Sequence, residues 1–271
     1  MFYDYYFVVG YAYEHSIELD DATPALCAFR AKFFEKDHHL KNLVVAGRPR
    51  LSDSTVDPNR LVFSLSDANS DLEEDREDTN EIGIHYANFF DSPYLEGGGF
   101  RTVRGTGNGR NMLSVPIPPP GPDHLVVLSG FEFRGKPETD HHIREIQIRY
   151  IPSTNSFRVR YRDNSPDDDS YTVDIHYLLL RKELDYEANF VLKDAHTQSI
   201  NFTKEATVIK EVPGRGLLSG FSFRFKDDDH HIRCMEVNVK ERDEIFVCFS
   251  DDEEDNPVEA IIDYVILDTS A

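Results

Sequence analysis

The fold is decided by Leu128-Ser129-Gly130-Phe131-Glu132-Phe133-Arg134-Gly135-Lys136 and by Asp140-His141-His142-Ile143-Arg144, which follows shortly after it. Nearly the same stretch returns as Leu218-Ser219-Gly220-Phe221-Ser222-Phe223-Arg224-Phe225-Lys226, followed by Asp229-His230-His231-Ile232-Arg233. A weaker copy runs Phe29-Arg30-Ala31-Lys32, then Asp37-His38-His39-Leu40. The chain therefore contains three related stretches, and a repeat of this kind determines the architecture.

The similarity continues downstream of each Asp-His-His triplet. Alternating apolar residues come first, which is typical of strands with one buried face. A second strand then ends in aspartate, an acidic stretch follows, and a closing strand completes the copy. The closing strands are Ile84-His85-Tyr86, Ile175-His176-Tyr177 and Ile262-Asp263-Tyr264, roughly 90 residues apart. That period matches a small independent β-domain rather than a solenoid repeat.

We therefore predict an all-β protein of three tandem antiparallel β-sandwich modules, in a row or in a pseudo-threefold arrangement. The predicted modules are segment 1 (residues 1–92), segment 2 (93–182) and segment 3 (183–271). Segment 2 begins with a Gly/Pro-rich arm that contains Gly97-Gly98-Gly99 and Pro118-Pro119-Pro120. Proline runs favour extended polyproline II geometry. We interpret the proline run as a spacer, or alternatively as an arm that lies along a neighbouring subunit.

The charge balance excludes some partners. The chain has 50 acidic and 29 basic residues, with a formal net charge of −21. Such a chain repels nucleic acid and anionic membranes unless a local basic stripe compensates. The nearest stripe, Arg158, Arg160 and Arg162, is too small to do so. We predict no nucleic-acid binding.

The N-terminus lacks the basic region of a secretory signal, and no apolar run is long enough to span a bilayer. We expect no signal peptide and no membrane insertion, and a location in the cytoplasm or in a released particle. Cys27, Cys234 and Cys248 are odd in number and include no Cys-x-x-Cys pair. They do not indicate a disulfide framework, and buried reduced thiols are the ordinary outcome, although one Cys234–Cys248 bridge is left open.

The repeated Asp-His-His triplet has three interpretations. The structural one is that aspartate caps a turn while one histidine packs under the sheet and the other bonds to the acidic loop. Alternatively, one histidine from each copy converges on a shared Zn, Ni or Fe ion, or the triplets contact a ligand. The candidate residues are Asp37, His38, His39, Asp140, His141, His142, Asp229, His230 and His231.

The acidic loops after the second strand of each copy are candidate calcium sites. Hard cations take six to eight oxygen ligands, and clustered carboxylates supply them. The alternative is a solvated hairpin loop, which the same residue types favour. The candidate residues are Asp67, Asn69, Asp71, Asp163, Asp167, Asp168, Asp251, Asp252 and Asp255.

The order of a Phe-x-Phe strand, an alternating strand, a polar loop and a closing strand resembles the H-type lectin module. The resemblance covers about 50 residues of each copy. It implies a six-stranded antiparallel sandwich of the kind that assembles as trimers and binds sugars at subunit boundaries, here as a covalent pseudo-trimer. The closing strands lack the family's tryptophan and the triplet is not a family feature, so no sugar-binding residue is carried over.

No nucleophile elbow of the Gly-x-Ser-x-Gly type is present, and threefold repetition argues against a single active site. We therefore expect a non-catalytic structural or interaction protein that is a subunit of a larger particle-, tail- or baseplate-like assembly. Its partners would be other protein subunits, and no cofactor would be required. The alternative hypothesis is a lectin-like carbohydrate-binding protein that uses calcium.

Overall fold

The computed structural model describes residues 2–10, 15–19, 22–33, 40–48, 60–67, 80–90, 95–106, 112–135, 143–163, 170–182, 191–210, 212–226, 232–240, 243–251 and 256–268. Within these ranges every regular element is a β-strand except one 3-10 turn at Pro152–Thr154. The predicted all-β class is confirmed. None of the described residues forms a helix long and apolar enough to cross a membrane.

Each segment contributes six described strands. Segment 1 forms β1 (Phe2–Gly10), β2 (His15–Glu18), β3 (Ala22–Phe33), β4 (Leu40–Arg48), β5 (Arg60–Asp67) and β6 (Asn80–Phe90). Segment 2 forms β7 (Leu95–Thr106), β8 (Leu113–Pro116), β9 (His124–Gly135), β10 (Ile143–Ile151), β11 (Ser156–Asp163) and β12 (Ser170–Arg181). Segment 3 forms β13 (Val191–Phe202), β14 (Glu205–Ile209), β15 (Arg215–Phe225), β16 (Ile232–Asn238), β17 (Glu244–Asp251) and β18 (Val258–Asp268).

The strands form three six-stranded antiparallel sheets that cross the predicted segment boundaries. Sheet I has the order β1-β6-β3-β16-β17-β14, sheet II has β7-β12-β9-β4-β5-β2, and sheet III has β13-β18-β15-β10-β11-β8. Each sheet therefore joins the first, sixth and third strands of one segment to the fourth, fifth and second strands of another. The same order of strand positions recurs in all three sheets, which is what a pseudo-threefold arrangement requires.

The junctions between segments use the repeated sequence in the same register. Phe29 pairs with Val237 where β3 meets β16, Phe131 with Val45 where β9 meets β4, and Phe221 with Ile148 where β15 meets β10. All six residues are buried. Because β-branched and aromatic residues pack well across neighbouring strands, each junction is a continuous apolar ladder.

Three phenylalanine rings, one from each segment, meet at the centre. The ring centroids of Phe29, Phe131 and Phe221 lie 5.0, 5.1 and 5.0 Å apart. These are ordinary distances for favourable edge-to-face and tilted aromatic pairs. They belong to one hydrophobic cluster that draws buried residues from all three segments. The first phenylalanine of the repeated Phe-x-Phe stretch thus holds the segments together.

A β-bulge precedes each of these phenylalanines by two residues. The register between the third and sixth strands of each segment shifts at Cys27, Ser129 and Ser219. Two of these side chains bond to the main chain of a different segment: Ser129 Oγ donates to the Pro24 carbonyl at 2.7 Å, and Ser219 Oγ to the Val126 carbonyl at 2.8 Å. The Cys27 thiol is fully buried, and burial raises its pKa to about 12. Cys27 is therefore an unreactive core thiol.

The glycine run of the predicted arm lies in a regular strand. Strand β7 is an outer strand of sheet II and pairs with β12 along its whole length. A Cβ atom on Gly99 would lie 2.6 Å from the Tyr177 hydroxyl, so glycine permits this tyrosine to cross the strand. These glycines are therefore part of the sheet. Farther along the arm, Pro118 and Pro119 are exposed, and Ile117 is buried and donates its N–H to the Asn155 carbonyl.

Cys234 and Cys248 form a disulfide between the neighbouring strands β16 and β17. The expectation of reduced thiols at these two positions is wrong, and the bridge that the sequence left open is present. The two cysteines occupy diagonal positions of an antiparallel pair, where their Cα atoms are 6.1 Å apart. That separation is within the range that a disulfide can span.

We predict that Cys248→Ser lowers the free energy of unfolding of the oxidised protein by about 3 kcal/mol. The bridge closes a loop between residues 14 positions apart, and losing it restores the entropy of the unfolded chain. Urea denaturation with and without reductant measures the effect, and the difference between the variant and wild type should largely vanish under reductant. Peptide mapping that recovers both cysteines as free thiols would contradict the prediction.

Candidate functional site

The nine residues of the Asp-His-His triplets lie outside the described residues. Each triplet belongs to the chain segment that links a third strand to a fourth strand, and the strand pairing places those two strands in different sheets. The links run from sheet I to sheet II, from sheet II to sheet III, and from sheet III to sheet I. A shared metal held by converging histidines therefore stays a prediction.

The acidic loops lie mostly outside the described residues as well. Asp67 and Asp163 end strands β5 and β11. Asp251 ends β17, where it is buried and accepts a hydrogen bond of 2.6 Å from Asn256 Nδ2. The described parts of the chain contain no group of three or more His, Cys, Asp or Glu that could hold a metal ion. Outside the described residues lie Asn69, Asp71, Asp167, Asp168, Asp252 and Asp255, so the calcium hypothesis also stays a prediction.

The polar residue of each closing strand occupies the position opposite the bulge. His85, His176 and Asp263 each pair with the residue that follows the bulge in the neighbouring strand. The three positions correspond, but their polar partners differ. In the sequence these residues serve only to align the closing strands, although a polar residue between Ile and Tyr is itself a signal of a functional or structural role.

His85 faces Lys240 across the junction between segments 1 and 3. The Lys240 Nζ atom lies 3.1 Å from His85 Nε2 and 3.3 Å from Nδ1. Burial, and then the positive charge of Lys240, lower the pKa of His85 to about 4. The imidazole is therefore neutral in the folded protein at neutral pH.

We predict that stability falls as the pH is lowered from about 6.5 to about 4 because of His85. The unfolded chain binds a proton at this histidine near pH 6.5, whereas the folded protein does so only near pH 4. Between these values the unfolded state binds more protons, so acid favours it. Thermal unfolding at pH 7 and pH 5 should show a smaller loss for His85→Gln than for wild type. Lys240→Met should also reduce the loss, and an unchanged slope in both variants would contradict the prediction.

His176 lies within a buried polar group of segment 2. Its Nε2 atom is 3.0 Å from Glu132 Oε1, and Arg134 Nη2 donates to Glu132 Oε2 at 2.8 Å. His176 and Glu132 are 5% and 3% exposed. A buried carboxylate is tolerated when it is paired in this way. This group stabilises the pairing of β9 with β12.

Asp263 joins segment 3 to segment 2. Arg149 donates to the carboxylate twice, from Nε to Oδ2 at 2.7 Å and from Nη2 to Oδ1 at 2.9 Å. Thr197 Oγ1 donates to Oδ1 at 2.7 Å. This bidentate geometry fixes the orientation of both side chains.

A pocket of about 430 Å³ lies beside this ion pair, between segments 2 and 3. Pockets that hold small ligands have volumes of about 300–1,000 Å³. One wall is the proline turn at residues 120–122, and another is the start of β9 at Leu125 and Val126. Pro152 and Ala195 also line the pocket. Its polar and aromatic lining residues are His124, Tyr150, Asn155, Lys182, His196, Thr197, Ser219 and Asp263.

Several of these pocket residues are held in place by other contacts. The Tyr150 hydroxyl donates to Asn155 Oδ1 at 3.2 Å, and the His196 ring stacks on Tyr264 with centroids 5.5 Å apart. The Lys182 main chain is fixed by its N–H bond of 2.7 Å to the Asp123 carbonyl. The sequence did not predict this pocket, because its residues come from six separate stretches of the chain. The arrangement can bind a polar small molecule.

Comparison with known proteins finds no matching family model and no matching curated protein. Among solved structures, the chain matches one from "The Triple Jelly Roll Fold and Turret Assembly in an Archaeal Virus" at 8% sequence identity. The match covers 94% of this chain and 82% of that chain, with a TM-score of 0.20. A similarity at that TM-score carries no conclusion about the fold or the function of this chain.

Proposed function

We propose that this chain is a non-catalytic structural protein that acts as a subunit of a larger protein assembly. The observation that carries the proposal is the continuity of the three sheets across all segment junctions, around the Phe29, Phe131 and Phe221 rings. Sheets and core shared in this way prevent the segments from moving independently. A protein built in this way has little freedom for domain closure, and it is well suited to hold neighbouring subunits of an assembly in fixed positions.

The outer strands supply surfaces for those contacts. Strand β14 is an outer strand of sheet I, and β8 is an outer strand of sheet III. Among the described residues, the large hydrophobic side chains that are most exposed adjoin these strands: Ile209 ends β14 and is 69% exposed, and Met112 precedes β8 and is 42% exposed. An outer strand with an apolar side chain at its end can accept a further strand from a partner.

Size-exclusion chromatography with light scattering tests the proposal. We expect the purified protein to self-associate, or to form a complex of defined stoichiometry with a protein from its native source. Ile209→Lys should reduce that association, whereas Ser153→Lys, which adds the same charge at an exposed turn residue, should not. A protein that is strictly monomeric and has no protein partner would contradict the proposal.

A second candidate function is carbohydrate binding, which the pocket between segments 2 and 3 favours. The pocket combines a rigid apolar wall with hydrogen-bonding side chains, the usual composition of a small-ligand site. The resemblance to H-type lectin modules points to the same class of ligand. A glycan array run with and without chelator tests it. Binding that disappears on chelation would support a role for the acidic loops as calcium sites, and an array without any signal would exclude the lectin function.

A further inference from the structure

The outer face of sheet III carries a cluster of arginines that strand pairing assembles from three neighbouring strands. Along β11, β10 and β15, alternate residues point away from the core, and arginine is the commonest residue at those positions. The cluster, which we call the arginine face, consists of Arg144, Arg149, Arg158, Arg160, Arg162 and Arg224. The acidic residues among them are Glu145, Glu259 and Asp263. This face is therefore basic, whereas the chain as a whole has a formal net charge of −21.

The fold does not require these arginines, because the equivalent strands of the other two sheets lack them. Strand β11 pairs with β10 in the same register in which β5 pairs with β4 and β17 pairs with β16. At the positions of the three β11 arginines, sheet II has Val62, Ser64 and Ser66, and sheet I has Phe246, Cys248 and Ser250. Sheets of the same architecture thus differ in charge at these positions, which indicates a role other than folding.

One buried carboxylate orients part of the arginine face without neutralising it. Glu145 is 4% exposed and accepts from Arg160 Nη1, which lies 3.2 and 3.4 Å from its two oxygens. Arg162 Nη1 lies 3.8 Å from the same carboxylate. Burial, and then the positive charge of Arg144, lower the pKa of Arg162, and Arg224 and Arg160 act in the same direction against the effect of Glu145. The guanidinium groups are therefore close enough to repel one another.

Two arginines of the face are able to bind further carboxylates. Within the described part of the chain, Arg158 and Arg224 form no ion pair. Arg224 is exposed, and Arg158 is half-buried opposite Ser114 of the outer strand β8. A guanidinium presents a planar fork of N–H donors that matches the two oxygens of a carboxylate. The arginine face is thus suited to an acidic partner.

The composition of the chain supplies such a partner. A second copy brings 50 acidic against 29 basic residues, so its charge is complementary to the arginine face. A nucleic acid fits less well. The row from Arg158 to Arg162 is about 14 Å long, which matches about four phosphates of one strand. A longer strand would continue over the rest of a strongly acidic chain and be repelled.

We propose that the arginine face binds an acidic surface of a second copy of this chain. The proposal rests on the assembly function above and names the partner and the kind of contact. Two arginine faces cannot meet across a twofold axis without opposing like charges, so the contact joins two different surfaces. Contacts of this heterologous kind build rings or open chains of subunits.

Light scattering of the purified protein at about 50 mM and at about 500 mM NaCl tests the proposal. We expect association at the lower salt concentration and a dissociation constant at least about tenfold higher at the other, because salt screens exposed charges. Association that does not respond to salt would overturn this contact and leave the assembly function standing. A protein that stays monomeric at the lower salt concentration would also overturn the contact, and the assembly function fails only if no other protein binds either.

A charge reversal locates the contact. Arg158→Glu should weaken the association about tenfold or more, because it places a carboxylate where the acidic partner binds. Arg104→Glu makes the same change at an exposed arginine of β7 in sheet II, and it should leave the association unchanged. Thermal unfolding of both variants verifies that they are folded. Equal weakening by the two variants would overturn the assignment of the contact to the arginine face.

A graft from sheet II removes the charges with residues that the same architecture already accepts. It combines Arg158→Val, Arg160→Ser, Arg162→Ser and Glu145→Asn, which are the residues at the equivalent positions of β5 and β4. There Asn42 Nδ2 donates to Ser66 Oγ at 2.8 Å, so the graft includes its own hydrogen bond. A folded graft that associates as tightly as wild type would overturn the proposal. Binding of a single-stranded DNA oligonucleotide by wild type but not by the graft would overturn it in favour of nucleic acid.

Discussion

Replacing Phe131 with alanine is expected to lower the free energy of unfolding by about 3–5 kcal/mol. The ring is fully buried and touches a phenylalanine from each of the other two segments, so its removal leaves a cavity that no single segment can close. All three segments should lose stability together. Urea denaturation followed by circular dichroism and by tyrosine fluorescence measures the loss, and the two probes should give coincident transitions.

Phe246→Ala is the matched control for this substitution. Phe246 is half-buried on β17 and does not belong to the central triad, which is the group of Phe29, Phe131 and Phe221 rings. Its replacement should cost clearly less than that of Phe131, because the side chain retains solvent contact in the native state. Equal losses in the two variants, or separate transitions for the segments in Phe131→Ala, would contradict the central role of the triad.

Replacing Arg149 with methionine is expected to cost about 3–5 kcal/mol, because it leaves the Asp263 carboxylate buried without its cation. Asp263 is 6% exposed, and after the substitution Thr197 remains as its one described donor. The loss falls on the junction between segments 2 and 3, where β10 pairs with β15. Chemical denaturation measures it.

Arg158→Met is the control, since Arg158 lies directly opposite Arg149 in the register of β10 and β11. It should cost less than about 1 kcal/mol, as exposed or half-exposed charges usually do. The double variant Arg149→Met with Asp263→Asn should recover part of the loss, because the buried charge is gone. A double variant that is no more stable than Arg149→Met would show that the carboxylate is not the cause.

Much of the fold could be predicted from the repeat. The Phe-x-Phe stretch, the alternating residues after each triplet and the closing strands all lie in strands, and the aligned phenylalanines occupy corresponding positions in the structure. Alternation reveals which face of a strand is buried, because side chains alternate between faces. It does not reveal which strand lies alongside. The sequence therefore could not predict that each sheet combines three strands of one segment with three strands of another. The buried residues at these junctions nevertheless continue the alternation seen in the sequence.

Local chemistry explains two features that the sequence does not predict. Glycine is unfavourable inside strands, so the sequence does not indicate that Gly97-Gly98-Gly99 lies in one. Here glycine is needed where Tyr177 crosses β7, which is a close approach that no sequence pattern announces. The cysteine count left a bridge open but could not supply the diagonal placement of Cys234 and Cys248, which depends on the strand register.

The candidate site was less predictable than the fold. The triplets and acidic loops are conspicuous because they repeat, whereas the pocket between segments 2 and 3 combines Ser219 and Asp263 of the repeated stretches with residues that do not repeat. Lys182 lies beside the proline turn because β12 pairs with β9, and the pairing of β10 with β15 brings the sheet that carries His196 to them. A site that depends on a tertiary junction carries no compact motif, and its polar residues look like ordinary surface residues in the sequence.

Native-state amide hydrogen exchange of β3, β9 and β15 tests most directly whether the three segments form one cooperative body. These strands lie at the junctions between segments, and each carries one ring of the central triad. We predict that the slowest amides of all three strands exchange with the same free energy, equal to that of global unfolding. A strand whose amides all exchange at a clearly lower free energy would show that its segment opens independently, and would contradict the shared architecture.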